Sequence, residues 1–202
     1  MKSNSIRFLC VTIVILAAGC VRSLNPLYSD EVIEFDPSLV GTWSDGSDYW
    51  RFEKEGDNAY KVTNGDDEED DTPGVFKGVL VRLGEHRFLD LFPDAESIEG
   101  GNEFYQFHFL PSHTFMKIKG SETNLVMLLM DLDWLEEEFE KNPDEVPCVI
   151  IEDTPILAGE SQALQAFVLK HAETPGAFGG KNPDETGLPR VQEPAGGEEA
   201  PD

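Results

Sequence analysis

The chain has 202 residues, of which 15 are Lys or Arg and 40 are Asp or Glu, so its formal net charge is −25. Nucleic-acid binding depends on clusters of Lys and Arg, so this charge makes nucleic acid a very poor partner and disfavours docking on anionic lipid headgroups. The length fits one domain with a sizeable core. No apolar run after the first twenty residues approaches the roughly 20 residues that a transmembrane helix needs.

The first twenty residues predict export. Lys2 and Arg7 form a short basic region, and an apolar run from residue 8 to residue 18 follows it. Such a run is too short to span a bilayer comfortably and is typical of a signal peptide. Small residues close the run and a cysteine follows them directly, in the order Leu16, Ala17, Ala18, Gly19 and Cys20.

This order resembles the lipobox of bacterial lipoproteins. The resemblance implies that the thiol of Cys20 takes a diacylglyceryl group, that residues 1–19 are removed as a signal peptide, and that the new amino group is usually acylated. Two or more acyl chains give stable membrane attachment. Val21 stands where an Asp would favour the inner membrane, so the outer membrane is expected if the host has two membranes. The alternative is a plain signal peptide, or a short anchor, with an accidental cysteine.

Residues 20–37 are predicted to form a lipid-anchored tether. Asn25-Pro26 and Asp36-Pro37 break regular structure. About 16 extended residues would reach about 50 Å, which would hold a domain clear of the headgroups. Because the segment also carries several apolar residues, part of it is expected to lie on the domain surface.

From Leu39 onward the sequence predicts a series of short antiparallel strands. Apolar and polar residues alternate, and turn signals such as Gly56-Asp57 and Gly84-Glu85 separate the runs. Strands with turn signals about every 8–12 residues are typical of an antiparallel sandwich or barrel. The predicted strands are 39–44, 49–54, 59–63, 75–83, 86–92, 103–110, 114–119 and 124–130.

Gly41 and Trp43 stand on the first of these strands with one residue between them. This pair resembles the opening signature of lipocalin-like barrels, in which the glycine permits close backbone approach and the tryptophan plugs the closed end. Lipocalins also carry a Thr-Asp-x-x-x-Tyr-like loop and an arginine after the last strand that packs across the tryptophan. The sequence shows neither feature, and no arginine stands between Arg87 and Arg190. We therefore predict a mainly β fold, either an antiparallel lipocalin-like barrel or a strongly bent sheet, with two helices near the C-terminus.

The first of these helices is predicted to end at Asn142-Pro143. Asp133 with Glu136 forms a capping box at its start, and Asp131 is an alternative cap. The run 148–151 is predicted to be a buried strand, and Cys148, which has no cysteine partner after processing, is interpreted as a buried inert thiol.

The second helix is predicted from about residue 160 to 172, with Leu164, Phe167, Val168 and His171 on one face. The globular domain therefore spans residues 38–172. Residues 173–202 contain five Pro, six Gly and seven acidic residues, and this composition predicts a disordered tail.

Two groups of side chains raise the possibility of a metal site. Six adjacent acids follow Gly65 at positions 66–71; a calcium site is conceivable, but such a run is more often a solvated loop tip. His86, His108 and His113 could hold a transition metal, but no Cys or carboxylate stands at ligand spacing. No nucleophile elbow, phosphate-binding loop, dinucleotide fingerprint or zinc-protease helix is found. We therefore expect no metal, no cofactor and no assignable catalytic residue.

These features favour an exported, lipid-anchored lipoprotein of the bacterial cell envelope. Its membrane partner is reached through the lipid on Cys20, and its β-rich domain is expected to be a non-enzymatic binding module for a small apolar ligand or a protein partner. One alternative is a structural or interaction protein with a filled core. Another is an unrecognised envelope hydrolase, which would require a buried polar cluster with perturbed pKa values in a cleft.

Overall fold

A computed structural model describes residues 20–65, 73–94, 110–151, 153–181, 183 and 185–192. The predicted lipobox residues 16–19, the six acids at 66–71, His108 and most of the predicted strand 103–110 lie outside this part of the chain. The predictions for those residues therefore stay predictions.

The described chain forms one twelve-stranded sheet, as the alternating patterns predicted. Strand lengths rise from two residues at the ends of the described chain to ten in the middle. In chain order the strands are β1 Arg22–Ser23, β2 Ile33–Glu34, β3 Gly41–Ser44, β4 Tyr49–Glu55, β5 Ala59–Gly65, β6 Gly74–Leu83, β7 His86–Pro93, β8 His113–Ser121, β9 Asn124–Leu129, β10 Cys148–Ile151, β11 Thr154–Leu157 and β12 Leu188–Pro189.

The sheet is strongly bent and is not closed by a continuous ladder. Its main path runs β10-β11-β1-β8-β7-β6-β5-β4-β3, with β9 also on β8, β12 on β9 and β2 on β6. All neighbours are antiparallel except β1 and β11, which are parallel. Residues 188–191 occupy the gap between β9 and β3, where a single bridge joins Trp43 to Arg190. The mainly β fold with a strongly bent sheet is thus confirmed.

Both faces of the sheet are buried, in two separate apolar clusters. The first lies inside the bend, because it takes residues from every strand between β3 and β9; among them are Trp43, Phe52, Tyr60, Leu80, Leu89, Met116 and Leu125. The second lies between the outer face and the helices and includes Val79, Val81, Phe88, Phe115, Leu135, Leu164 and Phe167. Neighbouring residues such as Leu80 and Val81 enter opposite clusters, as the two-residue period of a strand requires.

Two helices cover the outer face. Helix α1 spans Leu132–Lys141, and its N-cap is Asp131, whose side chain accepts a 2.8 Å hydrogen bond from the backbone N–H of Trp134. Helix α2 spans Ser161–His171, and the four residues predicted to share its inner face are all buried. Neither helix is long and apolar enough to span a membrane, within the residues that the structure describes.

The segment predicted to be a tether is part of the folded body. Val21 and Leu27 are almost completely buried, and β1 lies inside the sheet between β8 and β11. Asp36 is held from both sides, because its backbone N–H donates to the Tyr60 hydroxyl and its carboxylate accepts from Arg87. The apolar residues of this segment pack into the body: Leu27 is fully buried, and Val32 and Ile33 pack against the outer cluster.

The described part of the predicted disordered tail also packs against the body. Ala177 and Phe178 are buried in the outer cluster, and β12 pairs with β9. The composition did not predict this order, because a few buried apolar residues can fix a segment whose remaining Gly and Pro residues form turns. Residues 193–202 lie outside the described part.

Strand β10 is exposed, whereas its apolar sequence predicted a buried strand. Val149, Ile150 and Ile151 are 39, 61 and 47% exposed, and Cys148 is half-buried. The reason is position: β10 ends the path of the sheet and pairs with β11 alone among the described strands.

Candidate functional site

The predicted lipidation residue stands where the folded body begins. Cys20 is exposed and forms an isolated bridge with Asp131 at the start of α1. The next residue, Val21, is 2% exposed and belongs to the outer cluster. Cys20 also lines an open cleft of about 190 Å³, whose other polar side chains include Asp131 and Asp133. Cys20 is therefore accessible, whereas the next residue, Val21, is fixed in the core.

The two residues of the barrel signature meet an arginine from the end of the described chain. Trp43 is fully buried and donates a 2.9 Å hydrogen bond from Nε1 to the Leu39 carbonyl. The Arg190 guanidinium lies 4.3 Å from the centre of the Trp43 ring. Gly41 has a φ of 137°, and a Cβ atom at this position would collide with that guanidinium. Gly41 thus provides the space in which Arg190 reaches the tryptophan.

Sequence reasoning missed this arginine. Arg190 donates to the backbone carbonyls of Ser38, Val40 and Glu122, so it joins the segment just before β3 to the β8–β9 turn. The backbone adds two further links, from Arg190 N–H to Thr123 and from Val191 N–H to Thr42. The resemblance implies such an arginine, but Arg190 stands in the segment whose composition predicts disorder, so no local signal in the sequence indicates this contact.

The space inside the bend is occupied by the protein's own side chains in the described structure. Phe52, Tyr60 and Leu89 are each at most 1% exposed. A cleft of about 250 Å³ lies beside the gap between β9 and β3, and it is lined by Asp45, Trp50, Met116, Leu125, Met127, Leu129, Gly187 and Leu188. A ligand in this cleft would therefore reach the inner apolar cluster through the gap between β9 and β3.

A buried carboxyl and an imidazole form the polar pair that an acid–base site would need. Asp90 on β7 is 1% exposed, and its Oδ1 lies 2.6 Å from Nδ1 of His113 on β8. Its Oδ2 accepts a 2.6 Å hydrogen bond from the backbone N–H of Leu27, and the His113 ring packs against Phe92 and Tyr28. Because the second oxygen ties the N-terminal segment to the sheet, we interpret Asp90 as a structural anchor.

His86, another histidine that the sequence analysis considered, makes its contacts away from His113. Nδ1 of His86 lies 3.4 Å from Glu173, whose carboxylate also accepts from the buried Lys117. His108 lies outside the described residues. The Lys117–Glu173 ion pair lies at the C-terminal end of α2, where a cation complements the helix dipole.

A second polar cluster lies between α1 and α2. Oxygen Oε1 of Glu145 contacts both Lys170 and Nε2 of His171, and the His171 distance is 2.9 Å. Glu138 brings a third possible metal-ligand atom within 4.8 Å of those of Glu145 and His171. The Lys170 ammonium contacts Oε1 of Glu145, whereas Oε2 is buried without a hydrogen-bond partner among the described residues. Because of the lysine contact, we interpret the arrangement as an ion-pair cluster.

The Glu145 cluster predicts a specific pH dependence of stability. Burial alone would raise the pKa of Glu145, but the hydrogen bonds from Lys170 and His171 outweigh it and hold the pKa below the usual 4.5. A carboxyl with a lowered pKa stabilises the fold above its unfolded pKa, and this stability is lost as pH falls through the folded pKa. Glu145→Gln should therefore flatten the loss of unfolding free energy between about pH 6 and about pH 3.

Urea unfolding at several pH values measures this slope. Glu140→Gln is the matched control, because Glu140 is exposed on α1, and it should leave the slope unchanged. An equal slope for wild type and Glu145→Gln would contradict the assigned role of this carboxylate.

No family model, no curated protein and no solved structure matches this chain. Function must therefore be argued from the chain's own residues.

Proposed function

We propose that the chain is a lipid-anchored lipoprotein of the bacterial cell envelope whose β-rich body is a non-enzymatic binding module at the membrane surface. The observation that carries the proposal is the position of Cys20. The cysteine that ends the lipobox-like sequence is exposed, and the described core starts with the residue after it. A lipid on this sulfur would therefore leave the packing of the body intact.

The lipid has to supply the membrane attachment, because a body with this net charge is repelled by anionic headgroups. Each buried methylene contributes about 0.8 kcal/mol, so two or more acyl chains hold the protein stably. Val21 after the cysteine favours the outer membrane in a host with two membranes.

Substitution of the lipidated sulfur tests the proposal. Cys20→Ser should move most of the protein from the membrane fraction to the soluble fraction, or stall it as an unprocessed precursor, because the acyl chains have no attachment atom. Immunoblots of fractionated cells measure both outcomes. Cys148→Ser is the matched control, since it removes a half-buried thiol far along the chain, and it should stay membrane-bound. Normal processing and membrane binding of Cys20→Ser would overturn the proposal.

A second candidate, binding of a small apolar ligand, is favoured by the cleft beside the gap between β9 and β3. Its lining combines Trp50 with methionine and leucine side chains, a composition suited to an apolar group. Native mass spectrometry of the processed protein from its host should then show a retained small molecule, and Trp50→Ala should reduce its occupancy. A protein that is consistently empty would favour a protein partner instead.

A further inference from the structure

The structure leaves no linker between Cys20 and the rigid sheet. Val21 is buried, and Arg22 and Ser23 are already paired with strands on both sides. A lipid on Cys20 would thus be joined to the sheet itself rather than to a flexible arm. The surface around Cys20 would then be the surface that faces the bilayer.

The strand register places an apolar edge beside this point. Arg22 on β1 is level with Ile156 on β11, and the two strands are parallel. Continuing this register two residues back brings Cys20 level with Thr154, which is paired with Ile151 on β10. Two strand spacings separate β1 from β10, so Cys20 and the tip of the β10–β11 hairpin lie about 10 Å apart.

This edge is the most concentrated exposed apolar surface in the described structure. Three consecutive residues, Val149, Ile150 and Ile151, are 39–61% exposed, whereas the remaining exposed large apolar side chains of the described chain are Leu110, Leu169 and Val191, at three separate places. Proteins usually protect edge strands with charged residues. A chain with a net charge of −25 has many such residues, yet β10 carries none.

We propose that β10 docks on the phospholipid bilayer to which the lipid on Cys20 holds the protein. The proposal rests on the proposed lipidation, because the anchor is what brings a bilayer within about 10 Å of this edge. The three side chains lie at the depth of the headgroups, where water and headgroup oxygens satisfy the backbone groups of β10 that no described strand pairs with. The preferred surface is zwitterionic, since Asp131, Asp133 and Asp153 stand close to the anchor and the hairpin.

A pair of labelled proteins tests the docking. The lipidated full-length product carries Cys148→Ser and either Ile150→Cys or Leu169→Cys, each labelled with an environment-sensitive fluorophore and reconstituted into phosphatidylcholine vesicles. Leu169 is the matched control, because it is a similarly exposed aliphatic residue that lies beside Gly84 in the β6–β7 turn. The label at 150 should shift to the blue and be reduced by dithionite severalfold more slowly than the label at 169.

Two charge substitutions, made in the protein labelled at position 150, separate docking from a local effect of the fluorophore. Ile151→Glu should abolish the protection, and Val191→Glu, at another exposed position, should leave it unchanged. Equal reduction rates at positions 150 and 169, in protein whose mass shows the acyl chains, would overturn the docking and leave the anchor standing. A protein without acyl chains would overturn the proposed function and, with it, the docking.

Discussion

Replacing Trp43 by alanine should lower the free energy of unfolding by about 3–5 kcal/mol, because it removes a large, fully buried side chain and leaves a cavity. The loss also leaves the Leu39 carbonyl without the indole N–H and removes the ring beneath the Arg190 guanidinium. Urea unfolding followed by far-ultraviolet circular dichroism measures the effect without depending on tryptophan fluorescence.

The coupling between Trp43 and Arg190 can be measured separately. In a double-mutant cycle with Arg190→Ala, the interaction energy should be about 1 kcal/mol, which is typical of a cation stacked on an aromatic face. Arg82→Ala is the control, because Arg82 forms a half-exposed ion pair with Glu34, and exposed ion pairs contribute little to stability. A Trp43→Ala cost no larger than that of Arg82→Ala would contradict the packing described at this end of the sheet.

Asp90→Ala should also lower the free energy of unfolding by about 3–5 kcal/mol, the usual cost of removing one partner of a buried pair. The substitution leaves the His113 imidazole and the Leu27 backbone N–H without their acceptor. Because Leu27 belongs to the segment that follows Cys20, hydrogen exchange in residues 21–29 should increase more than in β4 and β5.

Two variants delimit this effect. Asp90→Asn keeps the size and one acceptor oxygen, so it should cost clearly less than Asp90→Ala. Asp57→Ala changes an exposed turn residue and should stay within about 0.5 kcal/mol of wild type. If Asp90→Ala also stayed within that range, Asp90 would not be the anchor of the N-terminal segment.

The central strands and the helices could be predicted because their signals are local. Strands β4 and β6 alternate with a two-residue period, β9 is a continuous apolar run, and turns such as Gly84-Glu85 separate the strands. The inner face of α2 follows from the spacing of Leu164, Phe167 and Val168. In these elements each residue's environment depends on neighbours within a few positions, so a pattern in the sequence suffices.

The features that the sequence did not predict, such as the exposure of β10, depend on distant partners. Strand β10 has the composition of a buried strand, and its place at the end of the sheet decides its exposure. The segments around Leu27 and Phe178 are ordered by contacts with the sheet and the helices, which no local pattern encodes. The polar, Pro-rich and Gly-rich composition of these segments is typical of a flexible isolated chain. In the folded protein, contacts with the sheet and the helices order them.

The candidate sites show the same division. Cys20 and Trp43 were candidates because each belongs to a short sequence motif, and the lipidation of Cys20 stays a prediction. Arg190 stands 147 positions after Trp43, and the pair of Asp90 with His113 joins two strands across an intervening segment. Such pairs become visible only when the topology brings them together, so the sequence predicted a lipidation motif but not the contacts of Arg190 and Asp90.

Intact mass spectrometry of the protein purified from its host's membranes tests the central claim most directly. The account predicts a chain that begins at Cys20 and carries the added mass of a diacylglyceryl group, with a further acyl chain on the amino group where the host adds one. A polypeptide that retains residues 1–19, or that begins at Cys20 with an unmodified thiol, would contradict it.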